Sequence, residues 1–426
     1  MFFLPHPCVW LGVIVGLSIL LMLVRAWRIP EAYWIGGGVL LLLALRLEPL
    51  RGSWHAAAKG TDVYLFLIGM MLLSELAAVH GVFDWVSSAA VRSAKGSTAR
   101  LFLLVYVAGT IVTIFMSNDA TAVVLTPAVL AAVRRAKIEP LPYLFVCAFI
   151  ANAASFVLPI SNPANLVVFQ KQMPALGGWL LRFGVPSVLS IVVTYFVLRW
   201  RFRASLRETI EHRVENHYLN RHGKLALAGL IATGAVLLIA SALNWDLGLP
   251  TCLTAVVVTA IVSILASSNP LPLVRQISWS TLALVAGLFV MVDAVERTGA
   301  IQHMQGWLTW AEGLAAPAGV MLVGFAVGIA NNLVNNLPLG LIAGSTLQAT
   351  HARGLMASAV LIGVDLGPNL SITGSLATIL WLIALRKEKL HVSFRDFFVV
   401  GAVAMPVVLF FALLGAIAMH AWFGLS

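Results

Sequence analysis

The sequence is poor in charged residues. Only 10% of its 426 residues are Asp, Glu, Lys or Arg, whereas 60% are hydrophobic and the mean hydropathy is +0.96. A soluble protein carries roughly 25% charged residues, so this composition excludes an ordinary soluble enzyme. Apolar runs long enough to cross a bilayer, for which about 20 residues suffice, recur along the whole chain. The sequence therefore predicts a polytopic α-helical membrane protein.

Cysteines are equally few and are scattered. Cys8, Cys147 and Cys252 form no CxxC motif and no even set, which excludes a disulfide framework and a cysteine metal cage. Cys147 lies in an apolar segment and is interpreted as a buried apolar residue. A role as a soft ligand in a transport path is the alternative. No metal site and no cofactor is predicted.

Motifs of intramembrane enzymes and of nucleic-acid binding are also missing. The chain has no HExxH motif, and His303, His351 and His420 are not near a GxSxG motif, so it is not predicted to be an enzyme. The net charge of +10 is interpreted as a report of membrane topology and not as a nucleic-acid surface. The first apolar run, 9–24, lacks a basic lead-in and a cleavage site, and is predicted to be a retained helix.

The apolar segments form two groups of similar size on either side of a basic stretch, 199–224. This stretch is predicted to be a cytoplasmic linker that anchors the topology and contacts lipid. Two amphipathic segments, 81–95 and 300–313, are predicted to lie at the membrane interface. The apolar segments are 9–24, 31–47, 61–80, 101–134, 141–170, 177–198, 225–243, 249–267, 281–297, 315–350, 354–385 and 397–424.

The two halves resemble each other in sequence. IGMMLLSELAAVHGVFDW in the first half matches AGLFVMVDAVERTGAIQH in the second, which aligns Glu75 with Asp293 and Gly81 with Gly299. An internal repeat of this kind, weak but spread over corresponding segments, is typical of secondary transporters.

A second pair of matching stretches contains polar interruptions. NAASFVLPISNPANLVVF aligns without a gap with DLGPNLSITGSLATILWL, which pairs Asn152 with Asp365 and Asn165 with Thr378. Two further interruptions occur in FMSNDATAVVLTP and IANNLVNNLPL. Non-helical backbone at membrane depth survives only where it lines protein or water. Four such breaks, two per half, are predicted to meet near the midplane around a polar chamber.

Charge distribution predicts the topology. If 101–134 and 315–350 are re-entrant hairpins, each half has five crossings, and the second half is inverted relative to the first. With the central linker inside, 20 of the 27 Lys and Arg residues lie inside, in agreement with the positive-inside rule. Both termini are then outside. The predicted units are an N-terminal repeat 1–198 with a broken helix 141–170, the linker 199–224, and a C-terminal repeat 225–426 with a broken helix 354–385.

Four carboxylates of the apolar segments are candidates for a functional role, namely Glu75, Asp119, Asp293 and Asp365. Asp119 and Asp365 are predicted to be functional, because burying a charge in a membrane costs at least about 2.5 kcal/mol. Glu75 and Asp293 lie toward helix ends, where snorkelling to the interface is an equal alternative. The four breaks contain no Lys or Arg. This favours a small neutral hydroxyl-rich solute or a cation over an anion, with a carboxylate that takes up a proton in exchange.

The stretches SNDATAVVLTP, NAASFVLPISNPANLVVF, NNLVNNLP and DLGPNLSITGSLATILWL resemble the signature stretches of the arsenite efflux permeases, the ArsB type, of the ion transporter superfamily. The resemblance covers nearly the whole chain. It implies multi-pass insertion in the inner (plasma) membrane and export of arsenite and antimonite, as As(OH)3 and Sb(OH)3, in exchange for protons. It also implies, in some organisms, an ArsA-type cytoplasmic ATPase as partner.

The same resemblance assigns substrate coordination to the break residues. These are Asn118, Asp119, Ser161, Asn162, Asn335, Asn336, Asn369 and Ser375. Asn152 and Asn165, which lie in or beside the breaks of the first half, complete the predicted substrate-binding set. The residue that carries the proton is predicted to be one of four carboxylates, Asp119, Asp365, Glu75 and Asp293. A Na+/H+ antiporter, or another carrier of the superfamily, is the alternative, and sodium dependence of transport distinguishes it.

Overall fold

The computed structural model describes residues 7–24, 29–207, 209–210, 218–350, 352 and 354–424. In this part the regular structure is helical, and eight helices are long and apolar enough to cross a membrane. The prediction of an all-α polytopic membrane protein is confirmed. Residues 208 and 211–217 of the predicted linker lie outside the described residues.

In the part of the first half that the structure describes, the chain forms eleven α-helices. A π-helical turn, Thr121–Leu125, connects α7 to α8, and a 3-10 turn, Pro159–Ser161, precedes α10. The helices are α1 (Pro7–Val24), α2 (Glu31–Ala44), α3 (Leu50–Lys59), α4 (Thr61–Val79), α5 (Val82–Ser93), α6 (Thr98–Phe115), α7 (Asn118–Ala120), α8 (Thr126–Arg135), α9 (Leu141–Ala153), α10 (Pro163–Phe169) and α11 (Leu176–Arg201).

The second half repeats this order. α12 begins at Arg221, so α11 and α12 both extend into the stretch predicted as the linker. The helices are α12 (Arg221–Ala242), α13 (Gly248–Leu265), α14 (Leu271–Gln276), α15 (Trp279–Glu296), α16 (Ala300–Glu312), α17 (Ala316–Val334), α18 (Asn336–Thr350), α19 (Leu355–Leu366), α20 (Leu376–Lys387) and α21 (Phe394–Phe423).

Packing between the halves is reciprocal. α4 packs against α13, and its counterpart α15 packs against α2, the counterpart of α13. The last helices of the two halves, α11 and α21, pack against each other. Such an exchange of partners is what a two-fold relationship between the halves requires. The protein therefore consists of two inverted repeats with discontinuous helices.

The sequence alignment of the halves holds residue by residue. Gly81 precedes α5 with a φ of 73°, and Gly299 precedes α16 with a φ of 83°. Glycine adopts this left-handed conformation without steric cost, so both sharp corners require it. The corners turn α4 into α5 and α15 into α16 at the same point of each repeat.

The broken helices match equally well. Asn152 and Asp365 are the second-to-last residues of α9 and α19, and Asn165 and Thr378 are the third residues of α10 and α20. The pairing of these residues from sequence is confirmed. It follows that the two breaks perform the same structural task with different side chains.

The break in FMSNDATAVVLTP falls at Met116 and Ser117. α6 ends at Phe115, and the chain turns at Met116 and Ser117, so that Asn118 and Asp119 begin the next helix. The reason is local: the Ser117 hydroxyl accepts a hydrogen bond from the backbone N–H of Ala120, at 3.2 Å, as a helix cap. In the second half the break falls at Asn335, with a φ of 78°, within the predicted stretch IANNLVNNLPL.

Glycines bring α17 and α19 into close contact. A Cβ atom on Gly367 would lie 2.5 Å from the carbonyl oxygen of Gly328, and one on Gly363 would lie 2.7 Å from that of Gly324. Small residues allow membrane helices to approach in this way. The contact fixes the position of α19, which carries Asp365, against α17.

Candidate functional site

Four helical segments begin around one central cavity. They are α7, α10, α18 and α20, two from each half. Their first backbone N–H groups have no partner within the helix, and such ends carry partial positive charge. The cavity is lined by Leu67, Asn118, Asp119, Asn162, Pro163, Thr281, Asn336, Leu337, Leu376 and Ala377. The two halves contribute equally to this lining.

The cavity lining combines amides with one carboxyl group. Asn118, Asn162 and Asn336 are buried, and Asp119 is half-buried. The Oδ1 atom of Asn336 has no hydrogen bond, although a buried amide oxygen normally has one. Among the described residues, the lining contains no Lys or Arg. The site therefore offers donors and acceptors but no fixed positive side chain.

The cavity is small. The centre of a water molecule has about 10 Å³ in which to move, which is close to the minimum that one water requires. A solute with several non-hydrogen atoms does not fit without movement of the lining helices.

Asp365 lies one hydrogen bond behind the cavity. Its carboxyl is buried, and its Oδ1 accepts a hydrogen bond of 2.7 Å from Nδ2 of Asn162. Asn162 lines the cavity and also caps α10, because its Oδ1 accepts from the Ala164 N–H at 3.0 Å. The neighbouring Ser155 hydroxyl donates to the Asn152 carbonyl, and Oδ2 of Asp365 has no hydrogen bond. Asn162 is the link between the cavity and this carboxyl.

A second amide pair joins the halves outside the cavity lining. Asn152 donates from Nδ2 to Oδ1 of Asn369 at 2.9 Å, and Asn369 donates to the Phe149 carbonyl at 3.3 Å. Both asparagines are fully buried. Their hydrogen bonds connect α9 to the break after α19.

Asn165 stabilises the break between α9 and α10 by hydrogen bonds. Its Nδ2 donates to the carbonyls of Ser155, Leu158 and Pro159, at 2.9, 3.3 and 3.3 Å. These carbonyls belong to the unwound stretch, where the Leu158 carbonyl also accepts a hydrogen bond of 3.1 Å from the Ser161 N–H. The amide supplies the partners that buried backbone groups require.

Ser161 and Ser375 also bond to backbone. The Ser161 hydroxyl donates to the Ile114 carbonyl at 2.9 Å, which ties the break to the end of α6. Ser375 caps α20 by accepting from the Thr378 N–H at 3.1 Å. Neither serine lines the cavity. Their assignment to substrate coordination stays a prediction.

The asparagine-rich break of the second half is held in the same manner. Asn335 donates to the Thr373 carbonyl at 3.1 Å. Asn332 donates to the Gly367 carbonyl at 3.0 Å and accepts from the Ser371 hydroxyl at 2.7 Å. Of the asparagines in this motif, Asn336, which follows Asn335, belongs to the cavity lining.

Two of the predicted carboxylates lie elsewhere. Glu75 is half-buried on α4 and has no hydrogen bond or ion pair among the described residues. Asp293 is ion-paired with Lys59 at 2.8 Å and with Arg297 at 2.9 Å. Neither carboxylate lines the central cavity. Their role in proton coupling stays a prediction.

Arg297 also faces Glu48, a residue that sequence analysis did not single out. The two side chains are 3.1 Å apart, and the Glu48 side chain is fully buried. Burial raises the pKa of Glu48 above its usual 4.5, more strongly than Arg297 lowers it, and nearby Asp293 raises it further. This cluster joins the α2–α3 corner to the end of α15.

Sequence analysis also missed Leu67, Thr281 and Ala377 in the cavity lining. Leu67 and Thr281 lie on the unbroken helices α4 and α15, so no local signal marks them. Cys147 is fully buried on α9 and does not line the cavity.

Discontinuous helices from two inverted repeats, meeting around a central polar cavity, define a membrane transporter. The citrate transporter family, CitMHS, matches residues 9–363 of the chain. The protein belongs to this family, within the ion transporter superfamily.

Relatives with arsenical functions in their names match over nearly the full length. The arsenical pump membrane protein of Escherichia coli is 25% identical over 436 residues, 97% of this chain and 99% of that protein. Its counterpart in Yersinia enterocolitica is 24% identical over 427 residues, 93% of this chain and 96% of that protein. This chain is thus similar over nearly its full length to arsenical pump membrane proteins.

The fold also matches a solved structure. The YdaH transporter of Alcanivorax borkumensis, which has an unusual topology, aligns with a TM-score of 0.58 at 13% sequence identity. The alignment covers 99% of this chain and 98% of that one. At this identity the match establishes the shared fold.

Proposed function

We propose that the protein exports trivalent arsenite or antimonite, as As(OH)3 or Sb(OH)3, in exchange for protons. The observation that carries this proposal is a cavity lined by Asn118, Asn162 and Asn336 beside Asp119, without Lys or Arg among the described residues. Amides both donate and accept hydrogen bonds, which suits a neutral trihydroxide. The similarity to arsenical pump membrane proteins supports the same substrate.

A citrate-like anion is the second candidate, because the family bears that name and four helix N-termini face the cavity. Partial positive charge at helix ends favours an anion. Asp119 opposes it, since its ionised carboxyl would repel a substrate carboxylate within the same small cavity. Sodium exchange is the third candidate, with Asp119 as a cation ligand.

Transport requires the cavity to open, since it has room for about one water molecule. We infer alternating access in which the discontinuous helices, 101–170 and 315–385, move against the remaining helices. In this scheme α6 to α8 and α17 to α18 are re-entrant hairpins. Their tips at Ser117 and Asn335 then reach the membrane midplane from opposite sides.

Proton coupling is assigned to Asp119 and Asp365. Asp119 touches the cavity directly, and Asp365 reaches it through Asn162. An ionised carboxyl costs at least about 2.5 kcal/mol in the membrane. Protonation of each carboxyl is therefore favoured when no hydrogen bond from the substrate stabilises its charge. Exchange of a neutral solute for H+ moves one charge per proton and is electrogenic.

The proposed orientation follows the distribution of Lys and Arg. The linker 199–224 is cytoplasmic, both termini are outside, and the protein lies in the inner (plasma) membrane. The linker anchors this topology through lipid contact. An ArsA-type ATPase as a partner rests on the family resemblance alone.

The test uses purified protein in liposomes that contain a pH-sensitive dye. An arsenite gradient is imposed with and without sodium, and a citrate gradient is imposed in parallel. The proposal expects proton movement that follows arsenite or antimonite and does not depend on sodium. Proton movement that follows citrate or sodium, with no response to arsenite, would assign the same cavity to the second or third candidate.

A further inference from the structure

A larger cavity lies at the ends of α10 and α18 that point away from the central cavity. The centre of a water molecule has about 380 Å³ in which to move there, against about 10 Å³ in the central cavity. Sites for small molecules have volumes of roughly 300–1,000 Å³. The lining comes from α10, α11, α18 and α19 and from the connections that follow α10 and α18. The cavity is therefore large enough to hold a ligand.

The equivalent place in the inverted repeat is filled. In the register that aligns 152–169 with 365–382, Val168 matches Trp381 and Ala357 matches Leu144. The Trp381 side chain is fully buried, and its indole N–H donates to the Leu144 carbonyl at 3.0 Å. Val168 and Ala357 both line the cavity. A valine and an alanine thus leave open the space that a tryptophan and a leucine close in the other half.

The rim of the cavity also differs from its counterpart. On the filled side Arg134, at the end of α8, forms an ion pair of 2.9 Å with Glu388, the residue after α20. The corresponding helices, α18 and α10, end beside the cavity at Gln348 and Phe169. Protein interiors are closely packed, with few voids larger than a water molecule. A cavity of this size at one of two equivalent places therefore indicates that something binds in it.

The lining consists of an apolar floor and a polar rim. The floor is buried and includes Val168 and Ala357. At the rim Gln172 is exposed, and Arg182 and Gln348 are half-buried. No Asp or Glu lines the cavity within the described ranges of the chain. The guanidinium and the two amides offer N–H donors to an anion, and the floor suits a hydrocarbon chain.

Arg182 lies next to a surface that faces lipid. Leu181 and Val185, on the same helix, are 42% and 41% exposed. Arg182 is the seventh residue of α11, and basic side chains near helix ends reach the head groups of the bilayer. It also takes part in an interaction within the protein, but a guanidinium has five N–H donors. The rim is therefore within reach of a lipid head group.

We propose that this cavity binds an anionic phospholipid. The phosphate accepts hydrogen bonds from Arg182, Gln172 and Gln348, and the upper part of one acyl chain lies on the apolar floor. Basic pockets between membrane helices bind lipid head groups in this way. In the proposed orientation the lipid belongs to the outer leaflet. It connects α11 with α10, α18 and α19, so that its binding stabilises the folded protein. The identity of the transported solute does not enter this proposal.

Thermal unfolding of the purified protein in detergent tests the lipid site. Phosphatidylglycerol, phosphatidylcholine with the same acyl chains, and glycerol 1-phosphate are added in separate titrations. We expect a saturable rise in unfolding temperature with phosphatidylglycerol and a smaller one with phosphatidylcholine, which carries no net charge. Glycerol 1-phosphate should have no effect, because it lacks an acyl chain. Equal effects of the two lipids, or an effect of glycerol 1-phosphate as large as that of phosphatidylglycerol, would overturn the proposal.

Substitutions of Arg182 connect the response to the rim. Arg182→Gln should weaken the binding of phosphatidylglycerol about fivefold, as expected for the loss of one arginine beside an anionic lipid. Arg182→Lys should retain most of the preference for the anionic lipid. Arg51→Gln is the matched control, because it removes an exposed positive charge on α3, away from the cavity. Arg51→Gln should match wild type, and an equal loss in Arg51→Gln and Arg182→Gln would contradict a specific site.

A substitution at the floor tests the cavity itself. Ala357→Leu introduces the residue of the equivalent position, Leu144, and filling a cavity commonly stabilises a protein. This variant should unfold at the wild-type temperature or higher without lipid, and should lose the response to phosphatidylglycerol. An undiminished response would overturn the proposal. Stabilisation of wild type by arsenite that Ala357→Leu removes, without any response to phosphatidylglycerol, would assign the cavity to the transported solute instead.

Discussion

Nδ2 of Asn162 lies 2.7 Å from Oδ1 of Asp365 and donates a hydrogen bond across the two halves of the molecule. Asn162 belongs to the lining of the central cavity, and Asp365 does not. The other oxygen of this buried carboxyl has no hydrogen bond, and the Ser155 side chain is the second polar group next to it. The hydrogen bond from Asn162 therefore connects the cavity to a buried acid.

Replacing the donor should destabilise the protein. Asn162→Ser keeps an oxygen that can cap α10 but cannot reach Asp365, and should cost about 1–3 kcal/mol, as expected for an unpaired buried acceptor. The measurement is thermal unfolding of the purified variants. The same substitution in an Asp365→Asn background should cost less, since no carboxyl is left unpaired. Equal costs in both backgrounds would show that the two side chains are not coupled.

Asp119→Asn should abolish proton movement driven by arsenite and leave the fold intact. The amide retains the shape of the carboxyl and its place in the cavity, but it cannot take up and release a proton near neutral pH. The assay is the liposome measurement with the internal pH dye, with Glu139→Gln as the control. Exchange at the wild-type rate in both Asp119→Asn and Asp365→Asn would refute the assignment of the proton to these residues.

Cys147→Ala should transport arsenite as wild type does. Cys147 is fully buried on α9 and lies outside the cavity lining, so no step of the proposed cycle requires its sulfur. Arsenite uptake into inverted vesicles, normalised to the amount of folded protein, measures this. Loss of transport at normal expression would make Cys147 an arsenic ligand in another state of the cycle.

Gly367→Ala should destabilise the protein by about 1–3 kcal/mol through overpacking. The added Cβ would lie 2.5 Å from the Gly328 carbonyl oxygen, at the point where the end of α19 packs against α17. Gly36→Ala is the matched control, because nothing lies within 4 Å of a Cβ there, and it should be neutral or stabilising. Thermal unfolding distinguishes the two. Similar unfolding temperatures for both variants would contradict the close contact of these helices.

The stability of wild type relative to Glu48→Gln should fall as pH rises. Burial raises the pKa of Glu48 above 4.5, so the folded state favours the protonated form. Its contribution to stability is complete below the unfolded pKa and is lost as pH rises through the higher folded pKa. Unfolding temperatures of both proteins from below pH 4.5 to neutrality measure this. A gain for wild type on raising the pH would mean that attraction to Arg297 outweighs burial.

The sequence by itself determined that the chain lies in a membrane, that it is helical and that its two halves are related. Apolar length reports a membrane span directly. Glycine at the sharp corners and polar residues at the breaks report local backbone requirements, which is why Gly81 and Gly299 align in sequence as they do in the fold. Asn118, Asp119, Asn162 and Asn336 were found in the same way, since a polar residue among apolar neighbours at membrane depth is visible locally.

The tertiary structure decided which of those polar residues line the cavity and which bond to the backbone of the breaks. Asn165, Ser161 and Ser375 look the same in sequence as Asn162, but they are directed to the backbone of the breaks. Which amide faces the cavity depends on how α10 and α20 meet across the two-fold relationship, and the Asn162–Asp365 contact joins residues 203 positions apart in the chain. No local pattern encodes such a distance, because it arises from the packing of two halves that only meet once folded.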